Sequence, residues 1–176
     1  MQGYTLVRTM AVRFEQLIDR HHDELFAYVW RLLGKERHTD IALEVEDLVQ
    51  EVFLRAYESY GRLRPDSNLR AWLFKIATNC TFTKLRRLKK WRRKALDLKG
   101  SVAKSGFPSG RVNLPSRIRT LVGTLPAKQK ACLTLRYLQD LDYAEIAGIV
   151  NCSEASARAN VYQAIQRLRL ALREDL

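Results

Sequence analysis

An all-α fold of two small helical domains joined by a flexible linker is what three observations along these 176 residues predict. Apolar side chains recur at three-and-four spacing almost throughout, the signature of helices with one buried stripe. No stretch sustains the period-two alternation of a half-buried strand. The helical periodicity breaks down once, between about Leu96 and Pro115, where Gly100, Ser101, Ser105, Gly106, Pro108, Ser109 and Gly110 crowd together as in a tether. The expected organisation is therefore a first domain over 1–95, a linker over 96–115 and a second domain over 116–176.

The first domain reads as three helices. Phe14, Leu17, Ile18, Leu25, Tyr28, Val29 and Leu32 form one stripe, ending near Gly34. Val45, Leu48, Val49, Val52, Phe53 and Ala56 form a second, ending near Gly61. After a turn containing Pro65 and Asp66, a third helix carries Leu69, Trp72, Leu73, Ile76, Ala77 and Cys80 inward and runs on into a basic stretch. In the second domain the periodicity returns at Ile118. Asp142 can cap a helix, with Glu145 placed to complete a capping box, and Tyr143, Ile146, Ala147 and Val150 form its inner face. Asn151 tolerates the left-handed conformation of a tight turn, and Ser153 can cap a following helix that runs to about Arg173. Its inner face holds Ala157, Val161, Ala164, Ile165 and Leu168.

Two helices joined by so short a turn make a helix-turn-helix, whose second helix enters the major groove by its N-terminal end. On its outer side lie Ser153, Glu154, Ser156, Arg158, Asn160 and Gln163, where Arg suits guanine and Asn or Gln suits adenine. Ala155, Ala157 and Ala159 are small enough to let a groove approach.

Charge supports the same reading. The net charge is +12, and it is segregated. Residues 11–60 hold 6 basic and 11 acidic side chains, whereas residues 61–115 hold 15 basic and 2 acidic. An acidic segment beside a strongly basic one suggests two partners, a protein and a nucleic acid whose counterions are released on binding. Lys84, Arg86, Arg87, Lys89, Lys90, Arg92, Arg93 and Lys94 are dense enough to track phosphates, with Trp91 placed to stack or wedge.

Other classes lack support. Cys80, Cys132 and Cys152 show no metal-ligand or disulfide-framework spacing and read as reduced core thiols. His21 and His22 read as surface or partly buried helix residues. There is no nucleotide-binding glycine loop and no Ser/His/Asp arrangement, so no metal, no cofactor, no small-molecule substrate and no catalysis are expected. Met1 to Met10 is too short and polar for a signal peptide, and no apolar run reaches membrane-spanning length, so a cytoplasmic location is expected.

The helix-turn-helix alone fits a two-domain repressor or activator equally well. The first domain separates the two readings. Asp47-Leu48-Val49-Gln50-Glu51-Val52-Phe53 resembles the DLxQExF signature of bacterial sigma factors, and the run Leu69 to Asn79 resembles their WLxxIAxN segment. Leu125-Pro126, Leu135-Arg136 and Asp142-Tyr143-Ala144-Glu145-Ile146-Ala147 resemble the LP…LR…SYxEIA pattern of their fourth conserved region. Size and two-domain build place the resemblance in the extracytoplasmic-function group of the sigma-seventy superfamily, which keeps regions two and four only.

That resemblance implies a factor directing core RNA polymerase to promoter DNA. It implies that Asp47, Gln50 and Glu51, which share one polar helix face, dock on the polymerase clamp. It implies that the loop Gly61 to Asn68 captures a flipped base of the minus-ten element, and that Arg64, Asn68, Lys75, Asn79, Lys84, Arg86, Arg87, Lys90 and Trp91 serve that element. Arg136, Tyr143 and the outer residues of the last helix would read the minus-thirty-five element, and an anti-sigma factor is implied as a further partner. Trp72 is expected in the core. Three positions depart from the family pattern: Thr83 where relatives often carry Asp, Asn160 where many carry Arg, and Asp140 where glycine is common.

Overall fold

The computed structural model describes residues 13–34, 41–99 and 114–173, and every regular element among them is a helix. Helices α1 (Phe14–Leu33), α2 (Ile41–Tyr60) and α3 (Leu69–Lys99) pack on one another, and α4 (Leu114–Thr124), α5 (Ala127–Leu138), α6 (Tyr143–Val150) and α7 (Glu154–Arg173) form a second group.

The predicted stripes are the packed faces. Leu17, Leu25, Tyr28, Val29 and Leu32 of α1 meet Val45, Leu48, Val49, Val52, Phe53 and Ala56 of α2 in the core. From α3 come Leu73, Ala77 and Cys80, joined by Phe74, Thr78 and Thr81, which lie off the predicted stripe. The reason is local. Tyr28 Oη lies 2.8 Å from Thr78 Oγ1, Thr78 and Thr81 each return their hydroxyl to the carbonyl four residues back, and Phe74 packs edge-on to Tyr28 at 5.1 Å. The buried hydroxyls are thus paired, which removes the cost of placing them inside. Trp72 is half-buried against Tyr60 and the core.

Element ends follow their chemistry. Gly34 and Gly61 follow α1 and α2. Asn68 caps α3 by accepting from the Ala71 N–H at 3.0 Å. Helix α3 continues through Leu96 to Lys99 and α4 starts at Leu114, both within the expected 96–115 linker bounds. Ala95, Leu96, Leu98 and Lys99 are good helix formers up to Gly100, and Pro115 sits in a first turn, where its missing N–H has no helical partner to lose. Residues 100–113 lie outside the described residues.

In the second group the capping box is present in full: Glu145 N–H donates to Asp142 Oδ1 at 2.8 Å, and Asp142 N–H donates to Glu145 Oε2 at 3.1 Å. Asn151 has φ 54°, the left-handed turn that ends α6. Asp140 also has φ 52°, a backbone conformation in which glycine would have no steric penalty.

Of the two histidines expected at the surface or partly buried, one lies deeper. His21 is buried and bonded through Nδ1 to Glu24, whereas His22 is half-exposed between Asp23 and Glu46. The hydrogen bond that the His22 ring donates to the Asp23 carboxylate raises the His22 pKa above its ordinary value, opposed by partial burial and reinforced by Glu46. Cys80 and Cys132 are buried free thiols and Cys152 is half-buried; burial pushes the Cys132 thiol up to about 12, which leaves it an unreactive core residue.

The two groups also touch. Helix α3 packs on α6, and α1 packs on α5 and α4, so the helices of the second group rest directly on those of the first. Sequence periodicity carries no sign of this contact.

Candidate nucleic-acid interface

Helix α3 is 31 residues long, about 46 Å at 1.5 Å per residue. Its inner half is held by the core, and its outer face carries Lys75, Asn79, Arg86 and Lys90 in one line, all exposed, with Thr83 half-buried between them. Arg86 donates to Thr83 Oγ1 at 3.0 Å, which orients its guanidinium along this line. Arg86, Lys89, Lys90, Arg93 and Lys94 border a shallow open groove of about 400 Å³. Trp91 stands beside it, 67% exposed, a large apolar ring held in solvent. Such a ring suits stacking or wedging, and the flanking cations suit phosphates. Lys84 is set apart: its Nζ lies 4.0 Å from Glu44 of α2, so it also ties α3 to α2. Arg64 and Asn68 are exposed in the loop at the start of α3, about a helix length from Trp91.

The second constellation lies on the helix-turn-helix. Tyr143, expected on the inner face, packs against the core while staying half-exposed, and two cations lie over its ring. The Arg158 guanidinium sits 4.5 Å from its ring centroid and that of Arg136 sits 5.3 Å away. Cation–π attraction places both groups at the entrance of α7. Arg158 is further held by Glu154 at 2.6 Å, and Arg136 donates to the Leu141 carbonyl at 3.0 Å. Ser153 accepts from the Ser156 N–H and lies 2.8 Å from Ser156 Oγ, which completes the cap of α7.

The structure therefore brings Arg136, Tyr143, Ser153, Glu154, Ser156 and Arg158 together. Asn160 and Gln163 are engaged elsewhere. Asn160 donates to the Ser156 carbonyl at 2.8 Å, and Gln163 accepts from buried Gln129 at 2.9 Å. Ala155 and Ala159 are exposed, but Ala157 is fully buried and faces the core, so only the first two can border a groove.

On α2, Asp47 and Gln50 are exposed and Glu51 is half-buried, paired with Arg55 at 2.6 Å. The geometry adds residues that the motif alone does not reveal. Leu43, Asp47, Gln50, Leu54 and Tyr57 fall at alternating steps of four and three, a single straight stripe. Leu43, Leu54 and Tyr57 are each about two-thirds exposed, at 67%, 66% and 68%. Three large apolar side chains held in water around two polar ones describe a helix face shaped for another helix. The same spacing rule, started from Asp47 instead of from the core stripe, finds them in the sequence.

No helix among the described residues is long and apolar enough to cross a membrane, and these residues hold no group of three or more His, Cys, Asp and Glu side chains placed for a metal ion.

Comparison with known proteins matches two family models, Sigma-70 region 2 over residues 17–92 and Sigma-70 region 4 over residues 116–168. The chain is similar to the ECF RNA polymerase sigma factor SigM of Bacillus subtilis (strain 168), 35% identical over 86% of this chain and 93% of that protein. It is also similar to the ECF RNA polymerase sigma-E factor of Escherichia coli (strain K12), 30% identical over 69% of this chain and 70% of the other. Among solved structures it resembles the sigma factor RpoE of Bartonella quintana, crystallised with the anti-sigma factor NepR, at a TM-score of 0.69 and 27% identity, covering 93% of this chain and 98% of that one.

Proposed function

Because the chain belongs to the ECF family of RNA polymerase sigma factors, we propose that it bridges core RNA polymerase and promoter DNA with one element read by each half. The domains are assigned as residues 1–95, a linker over 96–115, and residues 116–176. The α2 stripe docks on core polymerase through Asp47, Gln50 and Glu51, with Leu43, Leu54 and Tyr57 adding apolar contact. The outer face of α3 runs along the minus-ten element through Lys75, Asn79, Arg86, Arg87, Lys90 and Trp91, with Lys84 at its inner edge, and the loop carrying Arg64 and Asn68 receives an unstacked base. The entrance of α7 reads the minus-thirty-five element through Arg136, Tyr143, Ser153, Glu154, Ser156 and Arg158, with Asn160 and Gln163 joining once they leave their internal partners. The factor works in the cell interior with polymerase, needs no cofactor, and contributes no catalytic step of its own. An anti-sigma protein is a further partner, as for the Bartonella quintana relative.

The observation that carries this reading is the α2 stripe, an exposed face of mixed apolar and acidic character that a repressor or activator binding only DNA gives no reason to hold in water. Co-purification with core polymerase tests it. The wild-type chain is expected to bind core, and Asp47→Arg with Leu54→Asp is expected to weaken binding by about 2–4 kcal/mol, the range of a central contact. A chain that fails to bind core at any salt is a two-domain regulator of another kind.

A further inference from the structure

The outer face of α7 carries Ser156, Asn160 and Gln163 at steps of four and three, one stripe along the helix. Gln163 is exposed, yet one end of its amide is engaged. Its Oε1 accepts from the side-chain nitrogen of Gln129 on α5 at 2.9 Å. Its Nε2 has no partner among the described residues.

Gln129 is in the opposite situation. It is only 6% exposed, and helix α5 packs along α7, so its amide is fixed beneath the reading face. Its nitrogen donates to Gln163, while its own Oε1 is buried with no donor in reach. A buried amide oxygen without a donor is destabilising, and Met, an apolar chain of the same length, would fill the space without that penalty. Packing alone therefore gives no reason for a glutamine at 129. The bond to Gln163 does.

That bond changes what Gln163 can read. A free glutamine suits adenine, because its oxygen accepts from N6 while its nitrogen donates to N7. With the oxygen turned onto Gln129, the end left for a ligand is an NH2 group, which only donates. Guanine presents two acceptors in the major groove, N7 and O6, whereas adenine sets a donor beside its single acceptor. An NH2 group held in this way suits guanine. Pairing with adenine through both ends would require Gln163 to turn its oxygen away from Gln129, and a buried amide would then be stranded at both ends.

We propose that Gln129 is a specificity-determining positioning residue: by holding the Gln163 oxygen against α5, it makes Gln163 a reader of guanine and not of adenine. The role rests on the assignment of α7 to the minus-thirty-five element. It also narrows the part given to Gln163 there, which reaches the base through its nitrogen while its oxygen keeps its internal partner. Gln129 acts through Gln163 and touches no DNA itself.

Base enrichment tests it, with the full chain bound to core RNA polymerase and a promoter library randomised across the upstream element. The base pair read by Gln163 is the one whose preference is lost in Gln163→Met. At that pair the wild-type chain is expected to favour guanine over adenine by about three- to tenfold, the contribution of one hydrogen bond. Gln129→Met frees both ends of Gln163, and the preference should reverse to adenine by about the same factor. In the Gln163→Met chain, adding Gln129→Met should change no preference, because no amide is left to orient. Gln163→Glu keeps an acceptor for Gln129 but has no donor, so guanine should lose its advantage and cytosine gain one. Should Gln129→Met unfold the second group of helices, this variant at an exposed position decides: guanine still favoured in Gln163→Glu overturns the proposal. So does a wild-type preference for adenine, or an effect of Gln129→Met that is as large in the Gln163→Met chain. A guanine preference that Gln129→Met leaves unchanged overturns the positioning role alone, whereas a chain that enriches no sequence at all overturns the promoter reading and this role with it.

Discussion

Helix α3 and helix α7 both present basic side chains to solvent, yet they organise charge in different ways. On α3 the cations are many and lie along a line, with Arg86 bonded to Thr83 of the same helix. At the start of α7 one cation is fixed: Arg158 is bound by Glu154 and by the Tyr143 ring, which Arg136 of α5 also approaches. A loose row of charge can follow any phosphate backbone, whereas a guanidinium held in one orientation can prefer one base edge. On the proposed reading, the difference divides affinity, on α3, from specificity, at the start of α7.

The largest test of this contrast removes the row. Replacing Lys75, Arg86, Arg87 and Lys90 by Gln should lower DNA affinity by on the order of two to three powers of ten at moderate salt. It should also flatten the log–log salt dependence by about 0.9 for each phosphate that is no longer neutralised. The weakening should be uniform across sequences in anisotropy titrations; a sequence-dependent effect would place base contacts on α3. Next, Arg158→Ala should cost about 1–3 kcal/mol on the preferred minus-thirty-five sequence and far less on others. Equal weakening on every sequence recasts Arg158 as a phosphate contact and removes the contrast.

Smaller effects probe how the second unit is held. Asp140→Ala places an unaided Cβ at φ 52° and should lower thermal stability by about 1 kcal/mol, whereas Asp140→Gly should be tolerated. Smallest is a pH effect in the first unit. The folded His22 pKa lies above 6.5, so the stability it contributes is present in full below 6.5 and is lost as pH rises through the folded value. An NMR titration should find the ring titrating above 6.5, and His22→Gln should abolish the modest gain in stability at about pH 6 over about pH 8.

Much of this is legible in the sequence, for physical reasons. The stripes of α1 and α2, the Asp142–Glu145 capping box and the left-handed Asn151 are local features, set by residues within one or two turns. The DLVQEVF run and the Trp72–Asn79 segment carry the family. What the sequence hides is what depends on distant partners. Tyr143 reads as core because its cationic neighbours, Arg136 and Arg158, come from two other helices. Phe74 lies off the predicted stripe because its partner Tyr28 is on α1. Lys130 is not singled out by the sequence, and its burial includes bonds to Leu32 of α1 and Gly123 of α4.

The central claim, that this chain directs polymerase to promoters through two separate reading surfaces, is tested most directly by run-off transcription with core RNA polymerase on a genomic library. The account predicts transcripts that depend on the chain and start downstream of a shared two-part sequence, with the Arg158→Ala chain altering the upstream part alone. Transcripts no different from those of core polymerase without the chain would contradict it.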